Sequence, residues 1–149
     1  KSELTPGVMN YGEIIIPGNS KKEVLMSTYI CHPSLANNET SGPIVTIALA
    51  KEIRNLKERN FTYRIILIPE TIGAIAYLSE NYEIMKENTI AGFIYTCLGD
   101  DRTYSFMPSR LANTFTDKLA NHIINHFYPD INLSIAGESE DWILLYGET

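Results

Sequence analysis

The sequence contains few cysteines and no long apolar run, and each shortage excludes a class of protein. Two cysteines, Cys31 and Cys97, are too few for a disulfide framework. Each follows an apolar run that is typical of a strand, so we expect free, buried thiols and a reducing, cytoplasmic setting. Because no apolar run reaches the length of a membrane span, we also expect no membrane partner.

Basic residues are scarce as well. The 149 residues include 12 lysines and arginines against 18 aspartates and glutamates, which gives a formal net charge of −6. The basic side chains form no cluster in the sequence, and so we expect no nucleic-acid partner. Hydrophobic residues make up 44% of the chain and charged residues 20%, which is typical of a folded domain with a real core.

Apolar runs alternate with amphipathic segments along the chain, which predicts an α/β fold. Val45, Leu49 and Ile53 recur at helical spacing, whereas residues 23–31 are almost continuously apolar, as in a strand buried on both faces. We expect a mixed, largely parallel sheet with helices on both faces. The predicted strands are 11–18, 23–31, 62–69, 90–99 and a weaker 103–106, and the predicted helices are 41–60, 71–88, with a break near Asn81, and 113–127.

Chemically useful side chains follow three of these strands. His32 follows the second strand, Glu70 follows the third, and Asp100 and Asp101 follow the fourth; Glu39 lies in the loop after His32. Functional sites of such sheets gather beyond the carboxyl ends of the strands, so we expect these side chains to converge. Imidazole and carboxylate groups are zinc ligands, and a hydrolytic zinc site also needs a carboxylate that accepts a proton from water.

Each of these residues also has a structural interpretation. For His32 it is a strand-end histidine hydrogen-bonded to the backbone. For Glu39 and Glu70 it is a carboxylate at the start of a helix, favoured by the helix dipole. The acidic pair at 100–101 has the composition of a turn. His122 and His126 are four positions apart on a predicted helix, a spacing that can chelate a metal, but a pair of helix-surface histidines explains them more simply.

Four segments together resemble a known family: "YGEIIIPG", "STYICHPSLANNETSGP", "IPETIGAIAYL" and "TCLGDDRTYSFMPSR". They resemble bacterial zinc aminopeptidases of the leucyl-aminopeptidase and glutamate-carboxypeptidase kind, and more closely the aminopeptidase-like proteins of bacterial surface-polysaccharide gene clusters. The resemblance covers residues 11 to about 127. It implies a zinc-aminopeptidase-like (phosphorylase/hydrolase-like) fold, zinc as the cofactor, and a peptide or amide-bearing small molecule as the substrate.

The resemblance assigns His32 to the family's first zinc-binding histidine and Glu70 to its general base. The family next places an Asp-Asn pair whose aspartate bridges two metals, and here the pair is Asn38 and Glu39. An amide oxygen bridges two zinc ions poorly, so Glu39 becomes the candidate ligand. The family's second metal-binding glutamate is replaced by Thr71.

The fourth strand departs from the family pattern too. An aspartate ligand of the family precedes a glycine, whereas Asp100 and Asp101 follow Gly99 and become the candidates here. These departures favour one zinc ion, or none, over two. The family's last histidine ligand has no counterpart, because His122 and His126 precede its region.

The resemblance also implies a division of the chain. Residues 1–20 are interpreted as the remnant of an inserted module, and residues 21–149 as an incomplete aminopeptidase-like α/β domain. An incomplete domain exposes the edges of its core, which favours a homo-oligomer. Two functional hypotheses follow: a zinc-dependent metallohydrolase of aminopeptidase type that cleaves a peptide or amide bond in surface-polysaccharide biosynthesis, and a catalytically inactive aminopeptidase-like binding module.

Overall fold

The computed structural model of the chain describes residues 4–32, 34–99, 105–128 and 134–135. Its strands are β1 (Gly12–Ile16), β2 (Glu23–Tyr29), β3 (Thr62–Ile68), β4 (Thr89–Tyr95), β5 (Ser105–Phe106) and β6 (Ser134–Ile135). The helices are α1 (Gly42–Asn55), α2 (Ile72–Asn88) and α3 (Phe115–Phe127), and a π-helical turn, Ala36–Ser41, leads into α1. The predicted α/β fold is confirmed. No helix within these ranges is long and apolar enough to cross a membrane.

Four strands form one sheet in the order β1-β3-β2-β4. β2 runs parallel to both of its neighbours, with Tyr29 paired to Ile68 of β3 and Thr28 paired to Tyr95 of β4, whereas β1 runs antiparallel to β3. The predicted mixed, largely parallel sheet is therefore confirmed. Parallel strands end at the same edge of a sheet, so the segments that follow β2, β3 and β4 start from one side.

Helices cover both faces of this sheet, as predicted. On one face, Ala50 of α1 belongs to a buried cluster with Met26 and Ile65. On the other face, Tyr77 of α2 belongs to a buried cluster that includes Leu25. β2 is buried along nearly its whole length, and each such apolar side chain contributes about 1.5–3 kcal/mol to folding. The buried central strands therefore fix the positions of the residues that follow them at the carboxyl edge of the sheet.

A buried ion network, which the sequence analysis did not anticipate, crosses the α2 face of the sheet. Arg64 of β3 donates hydrogen bonds to both Glu23 oxygens, at 2.6 and 2.9 Å, to Glu13 at 2.7 Å and to the Tyr77 hydroxyl at 2.9 Å. The bonds to Glu23 are the main cause that raises the pKa of Arg64. Burial, followed by the hydrogen bond to Glu13, raises the pKa of Tyr77 to about 12. The network ties β1, β2, β3 and α2 together.

α1 differs from the prediction in its length, and α2 differs in its continuity. α1 ends at Asn55, earlier than predicted, and the Arg59 guanidinium donates to three carbonyl groups around its last turn. α2 continues without the predicted break, because the Asn81 side chain donates to the Tyr77 carbonyl one turn earlier and leaves the helix intact.

Candidate functional site

Four side chains converge at the carboxyl edge of the sheet. Cys31 and His32 follow β2, Glu70 follows β3, and Glu39 lies in the π-helical turn. Each offers one donor atom (a sulfur, a ring nitrogen or a carboxylate oxygen), and these four atoms lie within 4.8 Å of one another. We call these four residues the edge cluster. The structure thus brings three of the sequence-predicted site residues together and adds a cysteine.

Glu39 is the most deeply buried member of the edge cluster, at 8% exposure. Its Oε2 accepts a hydrogen bond of 2.5 Å from the Cys31 backbone amide, and its Oε1 accepts a weaker one, of 3.6 Å, from the Cys31 thiol. None of the ion pairs among the described residues includes it. A buried carboxylate without a cation beside it is costly, because burial removes the water that solvates its charge.

The π-helical turn decides which residue of the Asn38-Glu39 pair reaches the cluster. The Asn38 side chain points toward the segment after β4, where its Oδ1 accepts a hydrogen bond of 3.1 Å from the Thr96 hydroxyl. Two further bonds fasten the turn to that segment: Gly99 donates to the Asn37 side chain at 2.7 Å, and Leu98 donates to the Ser41 hydroxyl at 2.8 Å. The wider π-helical winding therefore directs residue 38 to the segment after β4 and residue 39 to the edge cluster.

Close packing of the backbone holds the start of α1 against the strand ends. A Cβ atom at Gly42 would lie only 2.3 Å from the Tyr95 carbonyl oxygen and 2.4 Å from the Thr28 hydroxyl. That same hydroxyl donates to the Tyr95 carbonyl at 2.9 Å. Only glycine lets the helix begin this close to β2 and β4, so the Ser-Gly step of the sequence positions the turn that carries Glu39.

His32 and Glu70 form the open side of the edge cluster. Nε2 of His32 lies 3.8 Å from Oε2 of Glu70, and the two side chains are 52% and 33% exposed. Because both groups reach solvent, a small molecule and a water molecule can approach them. The buried Glu39 and the more exposed Glu70 thus differ in environment, which is the usual way for two carboxylates in one site to take different roles.

A strained turn sets the direction of the chain immediately after Glu70. Thr71 has φ 55° and ψ −71°, and the Ile72 amide donates to the Glu70 carbonyl at 2.6 Å, which closes a γ-turn. A β-branched residue at positive φ costs about 1–3 kcal/mol. The turn lets α2 begin within two residues of Glu70, and Thr71 adds no carboxylate to the site.

Cys31 is the residue that the sequence analysis missed. It is a free thiol, half-buried rather than buried, and Cys97 is free but exposed, so the expected burial is wrong for both. The Glu70 amide donates to the Cys31 sulfur at 3.3 Å. Burial is the main cause that raises the pKa of the Cys31 thiol; the negative charges of Glu39 and Glu70 add to it, and the Glu70 amide opposes it. Its position next to His32 at a strand end was the available signal.

The donor set fits a zinc ion. Zinc bonds of 2.0–2.3 Å place tetrahedral ligands about 3.3–3.8 Å apart. The Cys31 sulfur and Oε1 of Glu39 are separated by 3.6 Å, which is of this size, and the donor atom of His32 lies within 4.8 Å of the donor atoms of both residues. Imidazole, carboxylate and thiolate are the groups that bind zinc in proteins. Asn38 and Thr71 bring no further carboxylate, so the described residues offer ligands for one ion rather than two.

The remaining sequence candidates are two aspartates after β4 and two histidines of α3. Asp100 and Asp101 lie outside the described residues. His122 and His126 are exposed on α3, with ring centroids 4.1 Å apart and Nδ1 of His126 3.0 Å from the His122 carbonyl oxygen. They are not members of the edge cluster.

Comparison with known proteins adds a family and two relatives. Residues 2–136 match a family described as a domain of unknown function, DUF4910. The chain is 35% identical over 125 residues to a Clostridium acetobutylicum protein named "Putative polysaccharide biosynthesis protein with aminopeptidase-like domain". The aligned part is 84% of this chain but 28% of that protein.

A solved structure is similar as well. A crystal structure from Clostridium acetobutylicum, of a protein called a "putative peptidase", superposes with a TM-score of 0.75 at 34% sequence identity. The match covers 79% of this chain and 28% of that one. The chain therefore spans little more than a quarter of the length of each matched protein, and over the matched part it shares the fold of the solved structure.

Proposed function

The chain belongs to the family described as DUF4910, a domain of unknown function. We propose that this member of the family is a zinc-dependent hydrolase of aminopeptidase type. Its substrate is a small molecule with a peptide or amide bond. The setting is the synthesis of surface polysaccharide, a proposal that the name of the 35%-identical relative supports.

The observation that carries the proposal is the buried carboxylate of Glu39. It is 8% exposed, it accepts a hydrogen bond from the Cys31 backbone amide, and no described ion pair neutralises its charge. Replacing water around a carboxylate is costly unless a cation takes its place. A divalent cation held by Glu39 and His32 removes that cost, which explains why a carboxylate stands at a buried strand edge.

The residues of the edge cluster have different roles in the proposed reaction. His32 and Glu39 hold the ion. A bound zinc ion supplies Lewis acidity, which polarises a carbonyl group and makes water more acidic. Glu70 accepts a proton from the attacking water and returns it to the leaving amine. Its 33% exposure leaves it room to meet substrate and water, and the end of β3 fixes its position.

A second candidate function is a binding module that keeps the fold and performs no hydrolysis. The observation that favours it is the loss of two carboxylates of the resembled aminopeptidases. Asn38 accepts a hydrogen bond from Thr96 instead of facing the edge cluster, and Thr71 closes the turn after Glu70. Such a module binds a peptide, a sugar or a partner protein at the same edge of the sheet.

Elemental analysis tests the metal first. The chain is loaded with zinc, freed of excess metal by gel filtration, and compared with His32→Ala and with His122→Ala, in which an exposed histidine outside the edge cluster is removed. We expect about one zinc per chain in the wild type and in His122→Ala, and a clear loss in His32→Ala. A wild-type chain without zinc would overturn the proposed metal site.

Hydrolysis is tested separately on the zinc-loaded chain. Aminoacyl amides and N-acyl amino sugars form the substrate panel, and Glu70→Gln is the matched variant because it keeps the shape of the side chain but cannot accept the proton. We expect turnover in the wild type and none in Glu70→Gln, with zinc retained in both. Zinc binding without turnover on any substrate would leave the binding module as the function.

A further inference from the structure

We propose that the Cys31 sulfur is a third protein ligand of the ion held by His32 and Glu39. The inference rests on the proposed function, because it assigns a further ligand to the same ion. It also names the class of metal: an ion that prefers sulfur, such as zinc, cobalt or cadmium, rather than magnesium or calcium.

The position of the Cys31 sulfur is the first observation that supports its role as a ligand. It lies 3.6 Å from Oε1 of Glu39 and within 4.8 Å of the donor atoms of His32 and Glu70. It also accepts a hydrogen bond of 3.3 Å from the Glu70 backbone amide. This amide favours negative charge on the sulfur, against the burial and the neighbouring carboxylates that oppose it, and a bound cation would favour that charge further. The negatively charged thiolate is the state in which cysteine binds a metal.

The number of ligands that a hydrolytic zinc site needs is the second argument for Cys31. Zinc sites that perform hydrolysis use three protein ligands and leave one position open. His32 and Glu39 supply two, and Glu70 must keep its oxygens free if it is to accept a proton. Cys31 is the one member of the edge cluster that remains, so the ligand set becomes one thiolate, one imidazole and one carboxylate.

Binding of the ion by Cys31 exchanges a proton for a metal and needs no redox partner. The sulfur–hydrogen bond of Cys31 breaks, a sulfur–metal bond forms, and one proton leaves to water for each ion bound. The oxidation states of sulfur and metal do not change. Because thiolate ligands select soft and borderline ions, whereas magnesium and calcium prefer oxygen ligands, the sulfur sets the metal preference of the site.

Cobalt(II) is the probe that reports this bond directly. A thiolate bound to cobalt produces a sulfur-to-metal charge-transfer absorption in the near ultraviolet, and a site with only nitrogen and oxygen ligands does not. The chain is titrated with cobalt in the absence of oxygen. We expect the band to grow with bound cobalt in the wild type and in Cys97→Ser, the matched removal of the exposed cysteine. We expect Cys31→Ser to bind cobalt without the band, and at least about tenfold more weakly.

The outcomes separate this inference from the proposed function. Cobalt bound by the wild type without the band, or a band lost in Cys97→Ser, would overturn the role of Cys31 and leave the metal site standing. No cobalt binding at all would overturn both. Circular dichroism checks the fold of Cys31→Ser, and the comparison of the wild type with Cys97→Ser decides the question even if Cys31→Ser does not fold.

Discussion

The Cys31 backbone amide donates a hydrogen bond of 2.5 Å to the Glu39 carboxylate, across eight positions of the sequence. This bond holds Glu39 in the edge cluster, whereas Asn38 turns toward Thr96 of the neighbouring segment. The carboxylate that reaches the cluster therefore comes one position later than the bridging aspartate of the aminopeptidases that the sequence resembles.

Removing the charge of Glu39 should weaken metal binding without lowering the stability of the metal-free protein. Glu39→Gln can still accept the Cys31 amide, but it no longer neutralises a cation. We expect zinc affinity to fall by more than the roughly 10–100-fold typical of losing a partner outside the ligand shell. In metal-free protein, we expect urea unfolding to show equal or greater stability, because an unpaired buried charge is gone. A large loss of metal-free stability would contradict this account.

An aspartate at position 38 should not restore a second metal. Asn38→Asp adds a carboxylate, but the side chain at this position faces Thr96 rather than the edge cluster. We expect elemental analysis to find no more zinc in Asn38→Asp than in the wild type. Two zinc ions per Asn38→Asp chain would show that the π-helical turn can rotate to present residue 38.

The buried ion network should be a major source of stability. Arg64→Ala leaves Glu23 buried without its cation, and breaking such a pair costs about 3–5 kcal/mol. Lys51→Ala is the matched removal of an exposed basic residue and should change the free energy of unfolding by less than about 0.5 kcal/mol. Both values come from urea unfolding followed by circular dichroism. Similar effects of the two substitutions would contradict the assignment.

Asp117 should make stability depend on pH in acid. Burial alone would raise its pKa, but hydrogen bonds from Ser109 and Thr114 outweigh burial and lower the pKa to about 2. The usual aspartate pKa is about 3.9, so the folded state favours the charged form. Its contribution is complete above that value and is lost as the pH falls from about 4 toward 2. Unfolding of the wild type and Asp117→Asn across this range should show the smaller pH dependence in the variant.

The strain at Thr71 predicts a reversed order of two substitutions. Within regular structure, glycine in place of alanine ordinarily lowers the stability of the folded protein by about 0.5–1 kcal/mol. At φ 55°, alanine keeps the penalty of its Cβ atom and glycine does not. We therefore expect Thr71→Gly to unfold at higher urea concentration than Thr71→Ala. The ordinary order would show that the turn relaxes when the threonine is removed.

Much of this architecture is predictable from the sequence, because it depends on patterns that repeat. The apolar runs predicted β2, β3 and β4, and their parallel arrangement follows from the helices between them. The convergence of His32 and Glu70 then follows, since both come directly after parallel strands.

The rest depends on contacts that no local pattern encodes. The π-helical turn that directs Glu39 inward is held by the segment after β4, more than fifty positions away. Cys31 has the same sequence context as a core thiol, and only the approach of Glu39 and Glu70 makes it part of the site. Arg64 interrupts an apolar strand, and its partners come from two other strands and a helix.

Zinc-edge anomalous diffraction from crystals of the zinc-loaded chain locates the ion and identifies the atoms that bind it. We expect a single strong peak at the carboxyl edge of the sheet, about 2.0–2.3 Å from a His32 ring nitrogen, a Glu39 oxygen and the Cys31 sulfur, with Glu70 beside it. A peak between His122 and His126 alone, or no peak at the edge cluster, would contradict the account.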